Sequence, residues 1–221
     1  MTAALRIAIV GAESTGKTTL AAALARRLRD DLGLRAVATT EGLRQWCDER
    51  GRTPRADEQA GIARLQHELI ERAARDADVV LCDTTPLMIS VYSELLFDDR
   101  SLDPFARESH ATTAFTLLTA QDIPWVADGL QRDGPHVRAP VERAVRARLL
   151  RWNAAWGVVS GTGDARTDNA LAALRPVLAR WQAGRGCPPG LFSGLLEGDA
   201  GPQRPWSAAC EHCDPPPVAP T

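Results

Sequence analysis

Short apolar runs alternate with longer amphipathic stretches along most of the chain. Arg6–Val10 reads Arg-Ile-Ala-Ile-Val and is closed by Gly11, the pattern of a short buried strand. From Lys17 to Leu32 leucines fall at 20, 24, 28 and 32 with arginines on the other side, which predicts a helix. Ala36–Thr39 is a second strand candidate, and helices are expected around Leu43–Arg50 and Arg55–Ala77. Asp78–Asp83 predicts a third strand, apolar until it ends on a carboxylate, and Pro86–Phe97 a helix with proline in its first turn. Phe115–Thr119 is the fourth strand. A polar, turn-rich stretch over 126–140 precedes a helix at Val141–Trp152, a fifth strand at Gly157–Ser160, and a last helix, Asp164–Ala183, that Pro176 is expected to disturb. Strands alternating with helices imply an α/β fold, an open parallel sheet of about five strands covered on both faces.

The 221 residues suit one domain of ordinary size, and 44 % hydrophobic with 24 % charged residues excludes a disordered chain. A net charge of −2 gives no broad electrostatic footprint for nucleic acid or an anionic membrane. No apolar run approaches the roughly 20 residues of a membrane span. The N-terminus leads straight into the first strand, so no signal peptide is expected and the reading is cytoplasmic. Oligomeric state is not legible. Residues 184–221 hold eight of the fifteen prolines and three of the five cysteines, and read as an irregular tail after a domain over 1–183. Cys210-Glu211-His212-Cys213 in that tail holds a C-x-x-C pair with the spacing of half a tetrahedral zinc site, Cys187 and His212 being the further ligand candidates. The plainer reading is a tail without metal. Cys47 and Cys82 lie in helical or apolar stretches and read as structural thiols, and His67, His110 and His136 as solvated or core residues.

Of the 26 basic residues 25 are arginine and one is Lys17, so the surviving lysine marks a place where a compact ammonium is needed. Lys17 lies in Gly11-Ala12-Glu13-Ser14-Thr15-Gly16-Lys17-Thr18, which matches G-x-x-x-x-G-K-[ST] between a predicted strand and helix. Gly11 and Gly16 let successive N–H groups turn inward on phosphate oxygens, and the following helix offers its positive end. Glu13, Ser14, Thr15 and Thr19 complete the candidate ATP site. Lys17 is placed on the β- and γ-phosphates, and the Thr18 hydroxyl on Mg²⁺.

A P-loop alone fits an ATPase, GTPase, kinase or switch. With no second lysine there is no Asn-Lys-x-Asp guanine motif, and the chain is short for a motor, so a small-molecule kinase fits best. Such an enzyme excludes water with a lid, and Gly129–Arg138, between glycine and proline hinges, is the candidate. Arg132 is then a catalytic arginine and Arg138 a phosphate ligand. Glu41 and Asp83 end strands on the P-loop edge, where ligands bind in parallel sheets. Either is suited to bind Mg²⁺ or to accept the substrate proton, with Asp83 the Walker-B-like candidate and Glu41 on the substrate side. Trp125 is placed to stack a flat ring, and Asp128 to hold ribose hydroxyls.

Gly-Ala-Glu-Ser-Thr-Gly-Lys-Thr-Thr-Leu at 11–20 resembles the ribosylnicotinamide kinase domain of NadR-type proteins, P-loop kinases in an AAA-type ATPase-like family. Glu41-Gly42-Leu43-Arg44, Ile62–Gln66, Leu81-Cys82-Asp83-Thr84-Thr85 and Pro124-Trp125-Val126-Ala127-Asp128-Gly129-Leu130 agree in order and spacing. The resemblance covers about residues 5–183. It implies ATP-dependent phosphorylation of the ribose 5′-hydroxyl of nicotinamide riboside to nicotinamide mononucleotide, with Trp125 on the nicotinamide and Glu41, Arg44, Asp83 and Asp128 around the substrate. The chain departs from the family at Gly42, where an aromatic is usual, at Thr85, where a second acid is usual, and at Gln131, which puts Arg132 one position late. The adenylyltransferase and DNA-binding modules of full-length NadR proteins are not seen, so a standalone kinase is expected. The rival readings are a kinase for another nucleoside or small metabolite, and a non-catalytic nucleotide-dependent switch or partner-binding module.

Overall fold

The computed structural model describes residues 3–126 and 134–184. β1 (Leu5–Val10) feeds α1 (Lys17–Leu32), then β2 (Ala36–Ala38) and α2 (Gly42–Arg50) follow. A 3₁₀ turn at Ala56–Glu58 leads into α3 (Gln59–Asp76), β3 (Val79–Asp83), α4 (Pro86–Phe97) and α5 (Asp103–His110). β4 (Phe115–Thr119), a 3₁₀ turn at Pro135–Val137, α6 (Arg138–Arg151), β5 (Trp156–Val159) and α7 (Gly163–Gly184) complete the described chain.

The strands form one sheet in the order β2-β3-β1-β4-β5, every neighbouring pair parallel. β1 is central. Alternate side chains leave it on opposite faces. Leu5, Ile7 and Ile9 pack with Leu20, Leu24 and Leu28 of α1 and Leu174 and Leu178 of α7. Ala8 and Val10 pack with Leu87 and Val91 of α4 and Val141, Val145 and Leu149 of α6. On β3, Val80 and Cys82 meet Ile70 of α3. Both faces are therefore covered, and the loops at the carboxyl ends of β1, β2 and β3 open onto one edge.

Several expectations are revised. The helix expected over Arg55–Ala77 is a 3₁₀ turn followed by α3, because Glu58 turns back to the Arg55 N–H at 2.8 Å and to Arg52 at 2.7 Å. α5 went unread because it is only eight residues long, little more than two turns, with Pro104 as its second residue. α6 starts at Arg138, ahead of the expected Val141, and β5 at Trp156. Pro176 does not interrupt α7. It and Ala172, whose carbonyl loses the intrahelical donor, are both exposed, so water can satisfy that group while Leu174, Val177 and Leu178 stay packed. His110 is a core histidine: Nε2 lies 3.1 Å from Thr116 Oγ1, and burial pushes its pKa down to about 4. No helix among the described residues is long and apolar enough to cross a membrane.

Candidate active site

The loop between β1 and α1 is shaped by what lies beneath it. Gly11 has φ 149°, and a Cβ there would stand 2.2 Å from Thr119 Oγ1, so β4 approaches too closely for a side chain. Thr119 in turn donates to Val10 O at 3.2 Å and meets Thr15 Oγ1 at 2.7 Å, while Thr15 Oγ1 also lies 2.7 Å from Ala12 O. Ser14 and Gly16 turn the chain left-handed at φ 54° and 75°, and α1 begins with no side chain capping it. Its first N–H groups are therefore available to an anion. Lys17 Nζ lies over the loop, donating to Ala12 O at 2.9 Å. Thr18 and Thr19, in the first turn of α1, are exposed.

Two buried arginines hold this loop from behind. Arg138, expected on phosphate, donates Nη2 to the carbonyls of Ser14 at 3.1 Å and Ile123 at 3.0 Å. Arg166 escaped the sequence reading altogether. At 5 % exposure it reaches Thr15 O (3.0 Å), Ala120 O (3.1 Å), Gly161 O (2.7 Å) and Asp122 Oδ1 (2.7 Å). One guanidinium thus ties the P-loop to the ends of β4 and β5. Ser14 Oγ also accepts the Val126 N–H at 2.9 Å, which anchors the Pro124–Val126 segment to the same loop.

Asp83 ends β3 opposite Ile9 of β1 and is buried beside the Thr18 hydroxyl. Burial raises its pKa; the Thr18 hydrogen bond works against that, Glu41 adds to it, and Lys17 and Arg44 offset it in part. Its Oδ1 is enclosed and has no hydrogen-bond partner among the described residues. Glu41 precedes α2, with Oε2 3.4 Å from Arg44 Nε. A carboxylate with an unpartnered oxygen beside a P-loop hydroxyl is the donor set of a P-loop Mg²⁺. No cluster of three or more His, Cys, Asp or Glu suited to a metal occurs among the described residues. Such an ion would take its remaining ligands from phosphate and water.

In front of these groups lies a cleft of about 630 Å³. Glu13, Ser14 and Lys17 form one wall, Glu41 and Arg44 another, and Leu95, Leu96 and Phe97 at the end of α4 an apolar third. That third wall was missed, although three consecutive large apolar residues at a helix end are more than one buried face can use. Trp125 is half-buried with its indole N–H enclosed, and the cleft-lining residues do not include it. Asp128, Arg132 and most of the expected lid fall outside the described residues, as do Cys187, Cys210, His212 and Cys213.

A five-stranded parallel sheet with a phosphate loop after its central strand defines an α/β P-loop protein with a kinase-like fold. Residues 6–166 match the family described as AAA domain; they are well over half of the sequence, and the chain belongs to that family. Among solved structures, a NadR protein in complex with NR is similar at TM-score 0.64 and 21 % identity, over 78 % of this chain and 50 % of that one. A NadR protein in complex with NAD and AMP-PNP is similar at TM-score 0.62 and 20 % identity, over 78 % and 49 %. This chain thus spans about half the length of those two. Thymidylate kinase from Ehrlichia chaffeensis follows at TM-score 0.53 and 16 % identity, over 81 % and 100 %. No curated protein matches the sequence.

Proposed function

We propose that this chain is an ATP-dependent kinase that phosphorylates the ribose 5′-hydroxyl of nicotinamide riboside, giving nicotinamide mononucleotide. The observation that carries the reading is a phosphate loop and Glu41 lining one cleft, with Asp83 buried beside the Thr18 hydroxyl. The amides of 11–18 bind the ATP phosphates, and Lys17 neutralises charge on the transferred group. Thr18 and Asp83 hold Mg²⁺, which supplies further charge neutralisation when bound. Glu41 lines the cleft and Asp83 does not, so Glu41 accepts the hydroxyl proton and Arg44 orients it. Asp128 and Arg132 belong to the proposal as ribose and phosphoryl ligands. The fold shared with the NadR structures and the Pro-Trp-Val-Ala-Asp-Gly segment support the substrate.

A second reading, another nucleoside or small metabolite as acceptor, is favoured by two observations: Gly42 supplies no aromatic wall, and Trp125 is not among the cleft-lining residues. The test is ADP release from Mg-ATP with nicotinamide riboside, a nucleoside panel and a blank without acceptor, the product identified by mass. Nicotinamide mononucleotide formed with nicotinamide riboside is the expected result. Stimulation by another acceptor alone would move the assignment to the second reading. A flat panel with intact ATP binding would refute kinase activity on these acceptors.

A further inference from the structure

The two acids stand on separate loops, Glu41 after β2 and Asp83 at the end of β3. The ladder between these strands reaches only to the Thr39 N–H on Leu81 O. Beyond it the connection runs through a side chain of α3. Gln66 is fully buried, at 0 % exposure. Its Oε1 accepts the Gly42 N–H at 2.7 Å, and its Nε2 donates to Thr84 O at 3.1 Å and Thr40 O at 3.3 Å. One amide therefore grips the backbone on both sides of Glu41 and the Thr84–Thr85 peptide group, one residue beyond Asp83.

Two details show that the contact is fitted. Thr84 has φ 68°, a strained conformation for a β-branched residue, and its N–H bonds Ile9 O at 3.3 Å while Gln66 takes its carbonyl. A Cβ on residue 42 would stand 3.0 Å from Gln66 Oε1 and 3.3 Å from Leu69 Cδ1, so any side chain there presses directly on the Gln66 amide. A neutral amide is also the one common side chain with donors for two carbonyls and an acceptor for an N–H, without adding charge beside two acids.

We propose that Gln66 is a positioning residue that fixes the separation of Glu41 and Asp83, and through it the Mg²⁺–nucleotide geometry. It touches neither metal nor substrate, and the proposal rests on the kinase reading above. The test compares wild type with Gln66→Met, Gln66→Glu and Gly42→Val. ADP affinity is measured by calorimetry with and without Mg²⁺, and kcat and KM for ATP in the transfer assay.

Gln66→Met should leave metal-free ADP binding unchanged, lower the Mg²⁺ enhancement of binding about tenfold or more, and lower kcat similarly with KM held. Gln66→Glu, protonated in this enclosed place, keeps one donor and the acceptor and should fall between. Gly42→Val should reproduce the Gln66→Met signature with the glutamine still present. If Gln66→Met does not fold, the other two variants decide. Folded variants with wild-type Mg²⁺ enhancement and kcat would overturn the proposal, as would equal loss of metal-free binding, which marks a purely structural role. Wild-type ADP binding indifferent to Mg²⁺ would overturn it too. If the wild-type chain transfers phosphate to no acceptor, the kinase reading falls, while the Mg²⁺ arm still judges Gln66.

Discussion

Replacing Arg166 by alanine removes a planar donor group that serves three carbonyls and one carboxylate. Thr15 O lies deepest, and a buried carbonyl left without a donor costs about 1–3 kcal/mol; Ala120 O and Gly161 O are part-buried and each lose less. The Asp122 side chain is 33 % exposed, so water recovers part of that pair, and the loss falls well short of the about 3–5 kcal/mol of a fully buried one. Together these place Arg166→Ala at about 3–5 kcal/mol, in the upper tail of single substitutions. Because Thr15 O belongs to the P-loop, ADP affinity should fall as well. Arg166→Lys, a single ammonium on a flexible stem, should recover only part of both. Urea unfolding at unchanged m gives the stability term, and calorimetry with ADP the other. There is also a pH signature. Burial opposes the Asp122 carboxylate, but Arg166 and the Gly161 N–H hold its pKa below the ordinary range. Its stabilisation is therefore present above the unfolded pKa and lost as pH falls through the folded one. That acid limb should shrink in Arg166→Ala. A loss below about 1 kcal/mol with wild-type ADP affinity would refute the reasoning.

Lys17→Ala should keep a cooperative melt yet lose about 100-fold or more in phosphoryl transfer; a folded and fully active variant would contradict the site assignment. Burial raises the Asp83 pKa, so its ionisation destabilises the ligand-free fold as pH rises from the unfolded pKa through the folded one. Asp83→Asn should therefore melt higher than wild type without nucleotide at pH 8, with the gap closing toward pH 4, and it should lose the extra Tm rise from Mg-ADP; a lower melt at pH 8 contradicts this. Trp125→Ala should lower kcat/KM for nicotinamide riboside about tenfold if the indole stacks on the cationic ring. Unchanged kcat/KM would take Trp125 out of the acceptor site.

The sheet, its parallel sense and the placement of Gly11–Thr18 were legible because buried strands are short apolar runs and a phosphate loop needs fixed residue types at fixed spacing. α5 was not, since its eight residues make little more than two turns, with a proline second among them. Gln66 was visible only as part of a family-like helix. Its role is three contacts to backbone groups 18 to 26 residues away, and no local pattern encodes these.

The arginines show most plainly why one part of a site can be read and another cannot. In this chain arginine fills nearly every basic position, so its presence carries almost no information, and by the same bias Lys17 stands out. Yet Arg148 and Arg166, at 3 % and 5 % exposure, each spread several acceptors over two or three guanidinium nitrogens, while Arg138, at 7 %, serves two carbonyls from Nη2 alone. Arg148 alone reaches Glu94 and Asp103, each at 2.7 Å, and Ser90 O at 3.3 Å. A lysine has neither the planar reach nor the number of fixed donors for such a place. Arg148 and Arg166 therefore require arginine physically, while the exposed positions do not. A Lys-for-Arg exchange separates the two groups: tolerated at exposed Arg26 or Arg143, it should destabilise the fold at Arg148 and Arg166.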